Sequence, residues 1–412
     1  MGVNSNLYEY VKEHIDGMLQ IHSLTDSELY ESIENTVREN AYMFDSYLSI
    51  SDRVNIVNSV YNSIRGFGIL DSIMSDDSIT EVMINGYDSV FVEKKGKITK
   101  HKEKFESEDN LYNIVQRIVG NNGREVNQAN PIVDSRLPDG SRVNVVLSPI
   151  SLDGTVVTIR KFSKEPMTVE KLIEYGSIDE SVANFLMNIV KAKYNIFIAG
   201  STGSGKTTFL NALTNFIPKD ERIITIEDSA ELQIAGIENL VRLETRNANT
   251  SGIGELTIRD LIRSALRMRP ERIIVGEVRG KEALDMLQAM NTGHDGSIST
   301  GHANSSIDMI SRLETMVLSS SDNLPIQAIR KQIASAIDIV IFLSRLRDKS
   351  RKVTEISEIK GIENGEIVLN KLYEFVEDKQ RDEESITGKL CRTKNAFINQ
   401  KKLQNAGIDI IV

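Results

Sequence analysis

Residues 200–207 read Gly200-Ser201-Thr202-Gly203-Ser204-Gly205-Lys206-Thr207, and no other stretch restricts the fold as tightly. The run satisfies G-x-x-x-x-G-K-[ST] at every fixed position. Before it, residues 194–199 form a short apolar run suited to a buried strand. After it, residues 208–213, opening on Thr208, begin a helix. Glycines at such a handover let the backbone curl until successive N–H groups point inward, which is a cradle for phosphate oxygens. Lys206 then reaches the β- and γ-phosphates, the Thr207 hydroxyl ligates Mg²⁺, and the helix N-terminus adds its dipole. The sequence therefore predicts a strand–loop–helix unit that binds a nucleoside triphosphate.

A chain of 412 residues is too long for one core, so two to four domains are expected. With 40% hydrophobic and 26% charged residues the composition is that of a globular protein. No run approaches the roughly 18 apolar residues of a membrane span. The most apolar stretch, 333–343, is interrupted by Ser335 and Asp338. Glu9, Lys12, Glu13 and Asp16 break any signal-like segment, and Asn6 stands where a myristoylation site wants Ser or Thr. A cytoplasmic protein is expected. Cys391 is the only cysteine, which excludes an intrachain disulfide and a thiolate zinc site. A net charge of −10 opposes wrapping of nucleic acid. The basic run Lys94-Lys95-Gly96-Lys97 reads as a hairpin turn, and Lys401-Lys402 as a solvated helix end.

Residues 1–65 read as a helical segment: Leu7, Tyr10, Val11, His14 and Met18 recur at helical steps, as do Leu29, Ile33 and Val37, then Val54, Ile56, Val57, Val60 and Ile64. Residues 66–163 read as a smaller α/β domain with strands near 80–86, 89–93, 141–147 and 155–160. A linker at 164–170 follows, with Lys164-Glu165-Pro166 as a hinge. From 171 to 345 strands and helices alternate, the pattern of a parallel sheet with helices on both faces; strands are expected near 196–199, 222–226, 272–275, 296–300 and 337–343. Residues 346–412 read as a C-terminal hairpin, turning at Asn364-Gly365, and a tail of no clear plan.

Three clusters beyond the phosphate loop carry chemistry. In 225–232, Glu227 and Asp228 follow a β-rich run, so they sit at the carboxyl edge of a strand, where open α/β sheets bind ligands; Asp228 equally suits a helix cap. In 272–279 an apolar strand ends at Gly276-Glu277, which fits a Walker B segment whose acid holds Mg²⁺ or its water. In 292–304 lie His294 and His302. Their spacing does not fit a helical zinc motif, whereas a histidine at a strand end can sense a γ-phosphate. Phosphoryl transfer also needs cations. Arg136 and Arg142, flanking a turn, are candidates, as are Arg259, Arg263 and Arg267 on one helix face, for which a solvated face is the alternative, and Arg269 beyond them.

Together these clusters resemble the secretion ATPase superfamily of type II secretion, type IV secretion and type IV pili. GSTGSGKTT resembles its Walker A, ITIEDSAEL its aspartate box, GEVRG its Walker B and TGHDGSISTGHAN its histidine box. The runs RLPDGSRVN, LETR, RSALRMRPERIIVGEVRGKEALDMLQAMNTGHDGS and SRLETM are similar to the CpaF-type branch, the ATPases of Tad/Flp pilus assembly. The resemblance covers about residues 66–360. One departure is Gly301, where the branch more often carries isoleucine. The resemblance implies a RecA-like P-loop NTPase domain preceded by a smaller α/β domain and an N-terminal helical segment.

It also implies roles: Lys206 and Thr207 on phosphates and Mg²⁺, Glu227 as general base or water-positioning acid, and Glu277 on Mg²⁺, with the proton acceptor left open between the two glutamates. His302 resembles the γ-phosphate sensor, and His294 would couple it to the neighbouring strand. Arg136, Arg142 and Arg160 would approach the γ-phosphate from the smaller domain, and Arg246 and Arg279 would face an adjoining subunit. The implied protein is a homohexameric Mg-ATPase, cytoplasmic and peripheral to the inner face of the cell membrane, driving a membrane platform protein. A nucleotide-gated scaffold and a RecA-like nucleic-acid translocase are the alternatives. The acidic balance and the absence of Trp count against the translocase.

Overall fold

The computed structural model describes residues 3–18, 24–44, 48–94, 96–162, 166–246, 248, 253–320, 324–378 and 386–409. The chain divides into two compact units, 1–163 and 164–412. Lys164 and Glu165 of the expected hinge, and Lys95 of the basic turn, lie outside the described residues.

In the first unit, helices α1 (Val3–Asp16), α2 (Asp26–Asn40) and α3 (Ile50–Ile64) form a bundle. Their apolar stripes meet in a core of Leu7, Val11, Ile15, Leu29, Ile33, Val37, Ile56, Val57 and Val60, as the helical period requires. Capping boxes at Thr25/Glu28 and Ser49/Asp52 start α2 and α3 by satisfying their first free N–H groups.

Beyond Gly66 the same unit continues as a six-stranded antiparallel sheet. Its strands are β1 (Ile79–Asn85), β2 (Val90–Lys94), β3 (Lys97–Lys100), β4 (Ile132–Arg136), β5 (Arg142–Val146) and β6 (Val156–Arg160), in the order β3-β2-β1-β6-β5-β4. Helices α4 (Ile69–Ser75) and α5 (Glu108–Gly120) share a core with its inward residues, among them Val82, Ile84, Val143 and Ile159. Strand β4 goes beyond the sequence reading. Only Val133 and Ser135 of its five residues point inward, too little apolar alternation to announce a strand.

The second unit holds a nine-stranded sheet built from β7 (Ile196–Gly200), β8 (Ile223–Glu227), β9 (Leu240–Glu244), β10 (Arg272–Val275), β11 (Ile298–His302), β12 (Ile339–Arg345), β13 (Arg351–Glu363), β14 (Glu366–Glu377) and β15 (Gly388–Arg392). The order is β15-β14-β13-β12-β7-β11-β10-β8-β9. Strands β12 to β9 run parallel, and β12-β7-β11-β10-β8 is the RecA-like arrangement. Helices α6 (Val169–Glu174), α7 (Glu180–Lys191) and α8 (Lys206–Thr214) share one core, while α9 (Ile258–Ala265), α10 (Glu282–Asn291), α11 (Ser306–Ser320) and α12 (Ile326–Ala336) belong to the other.

The C-terminal stretch is part of this architecture. The hairpin at Asn364-Gly365 forms, and β13, β14 and β15 extend the sheet antiparallel to β12. Leu390, Phe397 and Leu403, the last on α13 (Lys401–Asn405), are buried in the α7–α8 core. Lys402 is a correction to the solvated helix end expected there: its ammonium lies 2.7 Å from Asp338 and 2.6 Å from Asp295. No described helix is long and apolar enough to cross a membrane.

Candidate nucleotide site

The phosphate loop, Ser201–Gly205 in sequence, joins β7 to α8. Gly203 and Gly205 have φ of 72° and 91°, conformations that a side chain resists. A side chain at Gly200 would run into the Leu343 carbonyl and the Ser204 hydroxyl, so the loop leaves β7 without room for one. Thr207 is half-buried in the first turn of α8 and Thr208 beside it is exposed.

Lys206 is buried at 7% exposure, and its ammonium donates to the carbonyls of Gly200 (3.1 Å) and Ser201 (3.0 Å). It also lies 3.1 Å from His302 Nδ1. His302 can stand there because β11 lies beside β7 in parallel register, His302 opposite Gly200. On the other side of the ring, Nε2 is 2.7 Å from Glu277 Oε1, and Arg279 donates to Glu277 Oε2 at 2.7 Å. Lysine donating to Nδ1 leaves the imidazole proton on Nε2, facing the carboxylate. Burial pushes the Lys206 ammonium and the His302 imidazole below their ordinary values, with Glu277 pulling both back up. His302 is thus a neutral ring bridging a lysine and a glutamate.

Glu227 closes β8 and is 3% exposed. Its Oε2 accepts from the backbone N–H groups of Glu231 (2.7 Å) and Leu232 (2.9 Å). Its Oε1 is buried without a hydrogen-bond partner. Burial pushes this carboxyl up to about 7, against those two N–H bonds, which pull it down. Its neighbour across the strand is Gly276, where a Cβ would come 3.0 Å from Glu227 Cγ. The glycine in Gly276-Glu277 therefore makes room for the other acid.

Glu277 is mostly buried, with one oxygen meeting the His302 ring and the other Arg279. A carboxylate of this kind and a first-turn hydroxyl, Thr207, are hard oxygen ligands of the sort Mg²⁺ takes together with phosphates, so the donor set fits that ion.

Other expected residues fall elsewhere. His294 precedes β11, at the opposite end of that strand from His302, with its Nδ1 3.3 Å from the Ala289 carbonyl. Arg259 and Arg263 both reach the buried Asp285, each at 2.8 Å, while Arg263 stays largely exposed. Arg246 donates to Gly254 O at 2.7 Å, and Arg279 pairs within its own chain with Glu277 and, at 3.6 Å, Asp228. In the first unit, Arg136, Arg142 and Arg160 fall in one cross-strand row, Arg142 lying opposite both of the others. The sheet brings together what the sequence spreads over 25 positions.

Two features of the site had no sequence signal. A cleft of about 580 Å³ beside the loop is lined by Ser201, Thr202, His302 and Asn304 and by Asp308, Ser311, Arg312 and Thr315 of α11. Arg351, first residue of β13, donates to Gly203 O at 2.9 Å. The pairing of β13 with β12, and of β12 with β7, brings it there.

Residues 65–401 match the family described as Type II/IV secretion system protein. A Mycobacterium tuberculosis protein named for conjugal transfer, Rv3659c, is 36% identical over 306 residues, which span 73% of this chain and 86% of the relative. The type IV secretion system protein PtlH of Bordetella pertussis is 32% identical over 308 residues, 69% of this chain and 91% of the relative. Among solved structures, the Legionella pneumophila ATPase DotB aligns with a TM-score of 0.53 at 21% identity, covering 71% of this chain and 81% of DotB. That likeness speaks to the fold.

Proposed function

Because the chain belongs to the type II/IV secretion system protein family, we propose that it is an Mg-ATP-hydrolysing motor that powers a secretion or pilus-assembly machine. The observation that carries the reading is the line Lys206–His302–Glu277 at the phosphate loop, with the under-partnered carboxylate of Glu227 beside Gly276. Within it Lys206 binds the β- and γ-phosphates, and Thr207 and Glu277 would hold Mg²⁺. When bound, that ion neutralises charge on the phosphate oxygens.

Glu227 is the general base. Its Oε2 is fixed by two backbone donors, its Oε1 remains to accept a proton from water, and a carboxyl titrating near 7 is matched to that task. Lys206 occupies one nitrogen of the neutral His302 ring and Glu277 the other. A γ-phosphate that takes Lys206 away from Nδ1 would free that nitrogen, so the ring can report phosphate arrival and loss. Arg136, Arg142 and Arg160 are the γ-phosphate cations that the family resemblance implies, and within their own sheet they share one cross-strand row.

The finer reading is a CpaF-type ATPase of Tad/Flp pilus assembly, a cytoplasmic homohexamer that docks on the inner face of the membrane against a platform protein. It rests on the sequence runs quoted above. The test is steady-state Mg-ATPase per subunit against protein concentration, with size distribution recorded on the same samples. A specific rate that climbs as a hexamer forms supports the ring motor. Absence of hydrolysis at every concentration, with ATP still bound, would defeat it in favour of a nucleotide-gated scaffold.

A further inference from the structure

The phosphate loop is braced from outside by a residue 148 positions away. In a loop whose N–H groups turn inward toward phosphate, the carbonyls must turn outward, and there they need donors. Gly203 O finds one in Arg351 Nε, at 2.9 Å. The stem of the same side chain lies along the loop, its Cδ 3.3 Å from where a Cβ on Gly205 would sit. Arg351 thus touches both loop glycines of positive φ, 203 and 205.

Its own backbone is fixed in turn. Ser177 Oγ donates to the Arg351 carbonyl at 3.0 Å, and the next residue, Lys352, donates from Nζ to Gly176 O at 3.0 Å. The Gly176-Ser177 turn follows α6, so the start of β13 is held between that turn and the loop.

We propose that Arg351 is a positioning residue for nucleotide binding. It holds the Gly203 peptide with its carbonyl outward, and so keeps the loop N–H groups facing the phosphates before the nucleotide arrives. A cradle already in its binding shape saves the ordering that binding would otherwise require. The role needs a donor at Nε, on a rigid planar group; positive charge alone does not supply it. Arg351 sits outside the cradle, on the carbonyl side of the loop, so it acts on affinity through the loop backbone. This inference rests on the loop binding ATP.

The experiment uses the full chain and three variants, Arg351→Ala, Arg351→Lys and Ser177→Ala. It measures KM and kcat for Mg-ATP, equilibrium binding of Mg-ADP, and thermal melting without nucleotide. Arg351→Ala should raise KM and the ADP dissociation constant about 5- to 10-fold, the scale of one typical hydrogen bond at a solvent-exposed position. It should leave kcat within about two-fold and the melting temperature unmoved, because the side chain is exposed. Arg351→Lys should behave like the alanine variant, and Ser177→Ala should shift affinity the same way by about two-fold. Unchanged affinity in Arg351→Ala, a loss confined to kcat, or full rescue by lysine would each overturn the proposal. A wild-type chain that binds neither Mg-ADP nor Mg-ATP would remove the ATP reading beneath it.

Discussion

Strand β10 begins at Arg272 and runs out into Glu277, and the two ends of this one strand treat buried charge in opposite ways. Arg272 is fully buried, yet its Nη2 donates to Glu221 Oε1 at 3.0 Å, its Nε to Oε2 of the same carboxylate, and its Nη1 to Val190 O at 2.7 Å. On the same edge of the sheet, Glu358 of β13 is equally buried and accepts from Asn370, Ile398 N and Asn399 N. Asp338 accepts from Asn195 N, Asn399 and Lys402.

At the opposite edge, Glu227 keeps a buried oxygen without a hydrogen-bond partner, and Lys206 lies in a setting that disfavours its charge. Charge is buried at both ends; what differs is whether its partners are in place. A satisfied buried charge fixes structure, and a half-satisfied one in a cleft marks a candidate functional site.

This contrast can be broken most sharply by removing a carboxylate from each end. Glu221→Ala should destabilise the chain by about 3–5 kcal/mol, because it leaves the Arg272 guanidinium buried without its counter-ion. Chemical denaturation measures this, and a loss under about 1 kcal/mol would mean that Arg272 finds water or another acceptor.

Glu227→Gln should do the reverse. Hydrolysis should fall about 10³-fold with ATP binding retained, as expected for loss of a general base. The variant should also melt above the wild type at high pH. The folded-state pKa of Glu227 is raised from 4.5 to about 7, so its contribution to stability is fully present below about 4.5 and lost as pH rises through 7. The melting advantage of Glu227→Gln should therefore grow from pH 5 to pH 8; a constant difference would show that Glu227 titrates normally.

Gly301 sharpens the contrast at one position. A Cβ there would come 2.9 Å from Met309 Sδ and 2.9 Å from Phe197 Cε1. These two side chains thus occupy the space that an isoleucine would need. Gly301→Ile should cost about 1–3 kcal/mol by overpacking, and adding Met309→Ala should recover part of it. Additive losses in the double variant would sink this packing account. Smallest is the pH profile: kcat should rise toward a plateau as pH passes about 7 and Glu227 ionises. A profile flat from pH 6 to 8 would remove Glu227 as the group whose proton matters.

The phosphate loop, Glu227, Glu277 and His302 were legible in sequence because each sits at the end of a short strand whose direction local pattern already gives. The three arginines of the first unit were legible as candidates, but their common row was not, since it depends on β4, a strand with little apolar alternation. His294 shows how far a strand separates near neighbours: it is eight positions from His302 in the chain, and a strand of five residues carries it to the other end of the sheet. Arg259 and Arg263 read as candidate cations or a solvated face, and their acceptor Asp285 was not legible because it lies on a different helix.

By itself the sequence determined the parallel sheet, the strand-to-helix phosphate loop and the acids at the carboxyl edge. Those properties depend on periodicity and on backbone freedom over a few neighbouring residues. Only the tertiary structure decided which charges are satisfied and which wait. It set Lys206 against His302, closed Glu221 on Arg272, drew Lys402 to Asp338 and brought Arg351 to Gly203. Those contacts join residues some 50 to 150 positions apart, and strand order, which no local pattern encodes, determines which of them can meet.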